Sequence, residues 1–525
     1  MWFIVFALAV AVLVAGDPPG PWWGSAVYYR ILVDSFKDGD GDGLGDLLGA
    51  AKQMSYVRAL GADAVILTPL SSKSTDCSQP GTIDLKQIDP RYGDVDKFVS
   101  LLKKASKLEL KVVITLQLET ISVASEWFKL SAGRARGYED MVLWKEDETR
   151  ARLATPPHGA KNNEAVLNLC SENTAAALVE ALCVWLKRGV AGAVLKVDHP
   201  PDLGCSAALV KSLAMDAVRC ARSANLEVPV TVVETALDAA AAELYAEAGA
   251  NSVISKALTA LDRPSAAGLA LAMHATVLFS PQDGPAWTTS ETDENRIATR
   301  YGSDIVDAIN MLALTLPGAA IIQQGDELGA ADTLLEWSTT TDCWPVKMTP
   351  AAAPFPWDDG PSAGFSTGQP WLPIAPNYRY ANAKTEFAND FSHVGVLRVA
   401  AAMRRSPAMG PHAEIQRLGD AIAILRWGGA GSLLNVANLG RGAVDVQLSK
   451  IPGLPSVMSV AASSSGSSVS SGSHVTIDRG IRLNAGESVL MAGPPRHCGG
   501  PGPVDKIANK LSEGWQRINK YFSGA

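Results

Sequence analysis

Lys196, Asp198 and His199 stand together immediately after residues 190–195, an unbroken apolar run of strand length. A long helical segment precedes this run and a polar turn comes after it, the pattern of a buried parallel strand. In a barrel of parallel strands the C-terminal strand ends carry the chemistry, so these three side chains form a candidate active-site cluster. A second group lies far upstream, in Asp38-Gly-Asp-Gly-Asp-Gly-Leu-Gly-Asp46. Carboxylates at alternating positions, separated by glycines, can turn several oxygens onto one hard cation. The expected set is Asp38, Asp40, Asp42 and Asp46 through their side chains and Leu44 through its backbone carbonyl. The expected ion is a structural calcium, since carboxylates this close repel one another unless a cation neutralises them.

The elements that must position these groups alternate along the chain. Residues 26–32, 64–67, 111–118, 228–233 and 319–324 read as short apolar strands. Residues 47–60, 97–108, 173–188, 206–224 and 304–314 read as the helices between them. Repeated strand–helix alternation predicts an α/β fold, a (β/α)8 barrel over residues 22–405, with a reduced excursion subdomain at 119–172. Near residue 410 the pattern changes to short strands without helices, which predicts a C-terminal antiparallel β-sandwich over 410–493. The serine-rich run 463–473 reads as a flexible hairpin loop or a disordered one. Beyond a linker, residues 503–525 place Val504, Ile507, Leu511, Trp515, Ile518 and Phe522 on one face of an amphipathic helix.

The chain has 525 residues, too many for one core, so several domains are expected. A net charge of −8 argues against nucleic acid as a partner. The seven cysteines show no zinc spacing. Cys183 and Cys220 fall inside helices and read as small buried apolar residues, whereas Cys77, Cys343 and Cys498 lie among turn residues, where a disulfide is feasible. Residues 2–16 are apolar and uncharged, then break at Asp17-Pro-Pro-Gly20. Residues 1–16 are short for a membrane span and lack a basic start, so they read either as a secretory signal or as the outer part of a membrane anchor. Both place residues 17–525 outside the cell.

Several motifs resemble the α-glucosidase branch of glycoside hydrolase family 13. They include Ala26-Val-Tyr-Tyr-Arg30, the acidic loop, Ile88-Asp-Pro-Arg-Tyr-Gly93, Trp185-Leu-Lys-Arg-Gly-Val190, Thr315-Leu-Pro-Gly318, Gly325-Asp-Glu327 and Pro356-Trp-Asp-Asp359. The resemblance implies a barrel that cleaves α-glycosidic bonds with a carboxylate nucleophile and a second carboxyl as acid/base. The nucleophile falls four residues after a strand glycine, here Gly192, so its position is occupied by Lys196 and that of its orienting arginine by Val194. Glu234 matches the acid/base and Asp293 the third carboxylate. Thr292, Thr115 and Glu119-Thr120 replace the substrate-orienting groups, and Gln79-Pro-Gly81 replaces a sugar-stacking tyrosine loop.

On this reading the site is vestigial, with Glu234 ion-paired to Lys196. A dismantled family 13 barrel outside the cell resembles the heavy subunits of heteromeric amino acid transporters (solute carrier family 3). That resemblance implies a non-catalytic, single-pass type II ectodomain at the plasma membrane, escorting a multi-pass transporter light chain. Two features depart from it: no cysteine lies between Gly16 and Trp22, and no Asn-x-Ser/Thr sequon is present. The alternatives are a secreted or anchored α-glucosidase or maltase-like protein, or a carbohydrate-binding protein.

Overall fold

The computed structural model describes residues 20–496 apart from 77, 145–163, 238, 260–263, 282, 292–293 and 336–348. The apolar segment 1–16 and the amphipathic segment 503–525 lie outside the described residues. Eight parallel strands close into a barrel: β1 (Val27–Ile31), β2 (Ala64–Leu67), β3 (Lys111–Gln117), β4 (Gly192–Lys196), β5 (Val230–Glu234), β6 (Ser252–Ser255), β7 (Ala286–Thr288) and β8 (Ala319–Gln323). Each pairs with its sequence neighbours, and β8 pairs with β1 through Val27↔Ala320 to Arg30↔Gln323. Helices between the strands include α1 (Leu47–Ala59), α2 (Val95–Lys107), α3 (Glu172–Arg188), α4 (Leu203–Ser223), α5 (Ala239–Glu247), α6 (Ala266–Leu278) and α7 (Val306–Thr315).

The period-2 alternation of each strand divides two cores. Tyr28, Ile66, Val113, Val194, Val232 and Ile321 fill the barrel interior. Their neighbours Tyr29, Val65, Ile114, Leu195, Val233 and Ile322 face the helices. Both faces of every strand are covered, which is why the strands read as continuous apolar runs.

Local signals explain the segment before β4. Ser171 caps α3 by accepting from the Thr174 amide, and Gly189 ends it in the left-handed region at φ 108°. Trp185, fully buried, donates from Nε1 to the Leu85 carbonyl at 2.8 Å. Gly192 opens β4 where it presses on β5: a Cβ there would run into the backbone oxygen of Val230. Two disulfides tie this region to α4: Cys170, in the turn before α3, bonds Cys205, and Cys183 of α3 bonds Cys220. This corrects the expectation for Cys183 and Cys220. Each faces its partner across the helix pair, and the signal was missed because each sequence position alone looks like ordinary core.

A last helix, α8 (His393–Arg404), leads into six antiparallel strands: β9 (His412–Leu418), β10 (Ala421–Trp427), β11 (Ser432–Asn438), β12 (Val457–Ser463), β13 (His474–Thr476) and β14 (Ser488–Gly493). Their order is β9-β10-β11-β14-β12-β13. The facing layer contains a two-stranded ribbon, Val444–Val446 with Ile481–Leu483. Ala421, Ala423 and Leu425 face that ribbon, whereas Ile422 and Ile424 pack toward the barrel helices. The run 463–473 is an ordered hairpin: Ser465 donates to Asp307 and Ser468 to Glu487.

The joint between the parts is polar. Buried Arg404 donates to the carbonyls of Leu314 and Leu316, and of Ser25 and Gly318. Arg426 of β10 donates to Thr315 O at 3.1 Å. The end of α7, whose last carbonyls have no partner within the helix, is thereby closed by arginines from α8 and the sheet. Burial lowers Arg404 to about 9 and Arg426 to about 10.

Candidate active site at the barrel mouth

The inward phase of β4 runs Gly192, Val194, Lys196, and that of β5 runs Val230, Val232, Glu234. Lys196 is in register with Glu234, so the two side chains emerge beside one another at the C-terminal end. The Lys196 ammonium lies 3.8 Å from Glu234 Oε1 and 3.3 Å from Asp198 Oδ2. Glu234 is 5 % exposed, and Arg30 from β1 donates to its Oε2 at 3.1 Å. Directly after β6, Lys256 meets Glu291 Oε2 at 2.6 Å, and the Thr259 hydroxyl donates to Glu291 Oε1 at 3.4 Å. Burial acts to raise Glu291, and Lys256 opposes it; the net direction is upward. Burial alone would lower Lys256, but Glu291, with Asp198 and Glu234 further away, moves it upward instead.

Glu119, following β3, is almost fully buried and points both carboxylate oxygens at the next turn. It accepts from the Asp198 amide at 2.8 Å and from the His199 amide at 2.6 Å. Burial raises its pKa against those two donors. Cations and carboxylates therefore alternate around the mouth, and Lys196 is countered by two carboxylates.

Of the site residues read from sequence, the structure brings together Lys196, Asp198 and Glu234. His199 takes part through its amide; Asp293 and Thr292 lie outside the described residues. Lys256 was missed as a member of the site, and Glu119, read only as a replacement for a substrate-orienting group, was missed as the clamp on the Asp198 turn. Lys256 had a signal, since it follows the apolar strand 252–255 as Lys196 follows 190–195. The clamp made by Glu119 had none, because it depends on a neighbouring strand's turn.

In the acidic loop, ligand oxygens of Asp38, Asp40 and Asp42 lie within 4.8 Å of one another. Asp38 accepts from the amides of Asp40, Gly41 and Gly43 and from the Ser366 hydroxyl. Although burial acts to raise it, these donors hold Asp38 below its ordinary pKa. Gly43, at φ 96°, sits against the Gln369 backbone, where a side chain has no room. Asp46 departs from the expected set: it accepts from the Gly49 amide as the N-cap of α1 and from the Gly39 amide. Donors thus relieve part of the repulsion assumed from sequence. Asp38, Asp40 and Asp42 remain a donor set of the kind a calcium ion takes.

A closed parallel barrel with carboxylates at its C-terminal mouth and a C-terminal antiparallel sheet is an architecture that glycoside hydrolases share. The chain belongs to the family described as "Alpha amylase, catalytic domain", matching it over residues 30–197 and 264–410. Maltase 1 of Drosophila virilis is 29 % identical over 462 residues, 73 % of each chain. A salivary alpha-glucosidase of Aedes aegypti is 24 % identical over 480 residues, covering 76 % of this chain and 82 % of its own. Among solved structures, the alpha-glucosyl transfer enzyme XgtA shares the fold with a TM-score of 0.74 at 23 % identity, covering 90 % of this chain and all of its own.

These findings correct the expectation of an inactive transporter heavy subunit. The amino acid transporter heavy chain SLC3A1 of Rattus norvegicus is also similar, at 23 % identity over 73 % of this chain and 65 % of its own, but the maltases and α-glucosidases match better. The expectation of a dead site rested on Lys196 and Val194 in the strand and on the replaced groups at Thr115, Glu119-Thr120, Thr292 and 79–81; the similarity to named maltases and α-glucosidases is what overturns it. The structure sets two carboxylates against that lysine. Among the described residues no helix is long and apolar enough to cross a membrane.

Proposed function

We propose that this protein is an α-glucosidase-like enzyme that hydrolyses terminal α-glucosidic bonds of small α-glucosides at the barrel mouth. One observation carries the reading: Glu234, a buried carboxyl pinned by Arg30, shares the Lys196 ammonium with a second carboxylate, Asp198. Two carboxyl groups at one barrel mouth are what glycoside hydrolysis requires. Glu234 supplies the proton to the leaving oxygen. Incubation with maltose, sucrose and 4-nitrophenyl α-glucoside tests this: the full chain releases glucose, and Glu234→Gln lowers turnover of maltose by roughly a hundredfold or more. A wild-type chain inert on all three refutes the reading.

Two further parts of the proposal concern setting and stability. The two disulfides support work in an oxidising compartment outside the cytosol, in keeping with relatives named as salivary enzymes. Asp38, Asp40 and Asp42, with the Leu44 carbonyl, hold a structural calcium that fixes the loop preceding α1. Chelation with EGTA then lowers the melting temperature of the wild type. Asp40→Asn, whose side chain is exposed, should lower the starting value and blunt the response; an identical melt with and without chelator sinks the calcium assignment.

A further inference from the structure

We propose that the Cys170–Cys205 disulfide is a redox control on the barrel mouth. Oxidised, it pins the loop that carries Asp198 and His199; reduced, it frees that loop while the fold stays closed. The proposal rests on the α-glucosidase reading above, because it concerns the working of the same mouth.

The loop between β4 and α4 is tied at its two ends. At the first, Glu119 accepts from the Asp198 amide at 2.8 Å and from the His199 amide at 2.6 Å. At the other, Cys205, in the first turn of α4, is bonded to Cys170. Among the described residues, no hydrogen bond ties 200–204 to the rest of the barrel. Pro200 and Pro201 have no amide hydrogen to donate. Asp202 uses its side chain within the loop, accepting from the Cys205 amide as the N-cap of α4. His199, Pro201, Asp202 and Gly204 are exposed, so packing adds little. The far end of the loop therefore depends on one covalent bond.

Its partner stands on a fixed post. The Asn168 amide donates to Met141 O at 2.9 Å and its Nδ2 to Asp140 O at 2.9 Å. Asn168 Oδ1 in turn accepts from the Cys170 amide at 3.2 Å. Just before this turn, the Leu167 amide donates to the Glu119 carbonyl at 2.8 Å. Glu119 and the disulfide are thus two arms of one frame. The Glu119 side chain holds residues 198–199, its backbone holds the segment that leads to Cys170, and the disulfide returns to Cys205. Asp198 meets Lys196 at 3.3 Å beside Glu234, so a freed loop shifts the charges at the mouth.

Cys170 is exposed, whereas neither Cys183 nor Cys220 is, and exposed disulfides are the more readily reduced. The helices of a parallel barrel begin at its mouth, so Cys170 and Cys205 join α3 to α4 there. Cys183 and Cys220 lie further along both helices and keep the pair together when the first bond opens. The reductant is a dithiol. One of its thiolates bonds to Cys170 Sγ as the Cys170–Cys205 bond breaks, and the electron pair leaves on Cys205 Sγ, which takes a proton. The second thiolate of the reductant then attacks the reductant sulfur of the mixed disulfide and releases Cys170, which is protonated in turn. The protein gains two electrons and two protons, and the dithiol becomes a disulfide.

The experiment uses the full chain, with dithiothreitol as the dithiol and free thiols alkylated beforehand. Cysteines opened at each dithiothreitol concentration are labelled with a heavier alkylating reagent and located by mass spectrometry. Cys170 and Cys205 should take the label at a lower concentration than Cys183 and Cys220. At that concentration amide exchange over residues 198–205 should quicken severalfold, while exchange within α3 and the later turns of α4 stays slow. Turnover of 4-nitrophenyl α-glucoside should fall about tenfold to a hundredfold and return on reoxidation. The double variant Cys170→Ser, Cys205→Ser should start at the lowered rate and ignore the reductant, with slow exchange in α3 showing that it is folded. Labelling of Cys183 and Cys220 first overturns the proposal. So does unchanged exchange over 198–205, or full turnover, once Cys170 and Cys205 carry the label. A wild-type chain without turnover overturns the α-glucosidase reading instead, and the labelling and exchange then decide by themselves whether the disulfide governs the loop.

Discussion

Glu327 should make the protein lose stability as the pH rises toward neutrality. Its side chain is fully buried, its Oε1 accepts from the hydroxyls of Tyr29 at 2.6 Å and Tyr56 at 2.9 Å, and its Oε2 accepts from the Gly325 amide. Burial outweighs those donors and raises it from 4.5 to about 7. The adjacent Asp326, equally buried, moves from 3.8 to about 6. The sign comes from proton counting. Below pH 4.5 the folded and unfolded chains both hold the Glu327 proton. Above it the unfolded chain releases the proton and the folded chain does not, until pH reaches about 7. Stability therefore falls across this window, by roughly 3 kcal/mol for Glu327 alone. Asp326 adds in the same direction, less than additively because the two acids sense each other. Urea unfolding midpoints from pH 4.5 to 8, compared between wild type and Glu327→Gln, isolate the contribution. The variant cannot ionise there and should show a flatter profile. Parallel profiles for the two proteins would refute the argument, whatever their absolute stabilities.

Two other outcomes arise from the packing around β4. Replacing Cys183 and Cys220 together by Ser should cost about 4 kcal/mol, because the crosslink closes a sequence separation of 37 residues in the unfolded chain. Melting under non-reducing conditions checks this, and a loss below about 1 kcal/mol would show that packing of α3 on α4 suffices. Gly192→Ala should cost about 3 kcal/mol and reduce soluble yield, since its Cβ meets the Val230 backbone. Gly442→Ala, with nothing near its Cβ, serves as the neutral control.

The strongly patterned elements were legible from residue types alone. The strand at 64–67 has the expected limits, and the first helix expected at 47–60 ends one residue earlier, because capping by Asp46 and an apolar face mark it. In the later half of the barrel β5 and β8 were legible, but the stretch between them was not. β7 spans three residues, too few for any period to show. α6 is apolar around its whole circumference, with Leu271 exposed and Leu269 buried, so its sequence has no polar face to reveal a helix. The site divided in the same way. Lys196 and Glu234 could be placed side by side from strand register, which is a local property. The contact of Glu119 with the Asp198 turn depends on how far one strand end projects past another, and no spacing within a single segment encodes that.

The arginine seal on the end of α7 sets how this protein could be cut or recombined. Removing everything after residue 410 would leave the Thr315 carbonyl without Arg426 and its hydroxyl without Asn435. Buried acceptors stripped in this way cost about 1–3 kcal/mol each. The barrel is therefore not a free-standing module that happens to carry a tail. A chimera that borrows a terminal sheet from a relative must bring partners for Thr315 along with it, or the donor sheet will dock on a helix end that has lost its closure.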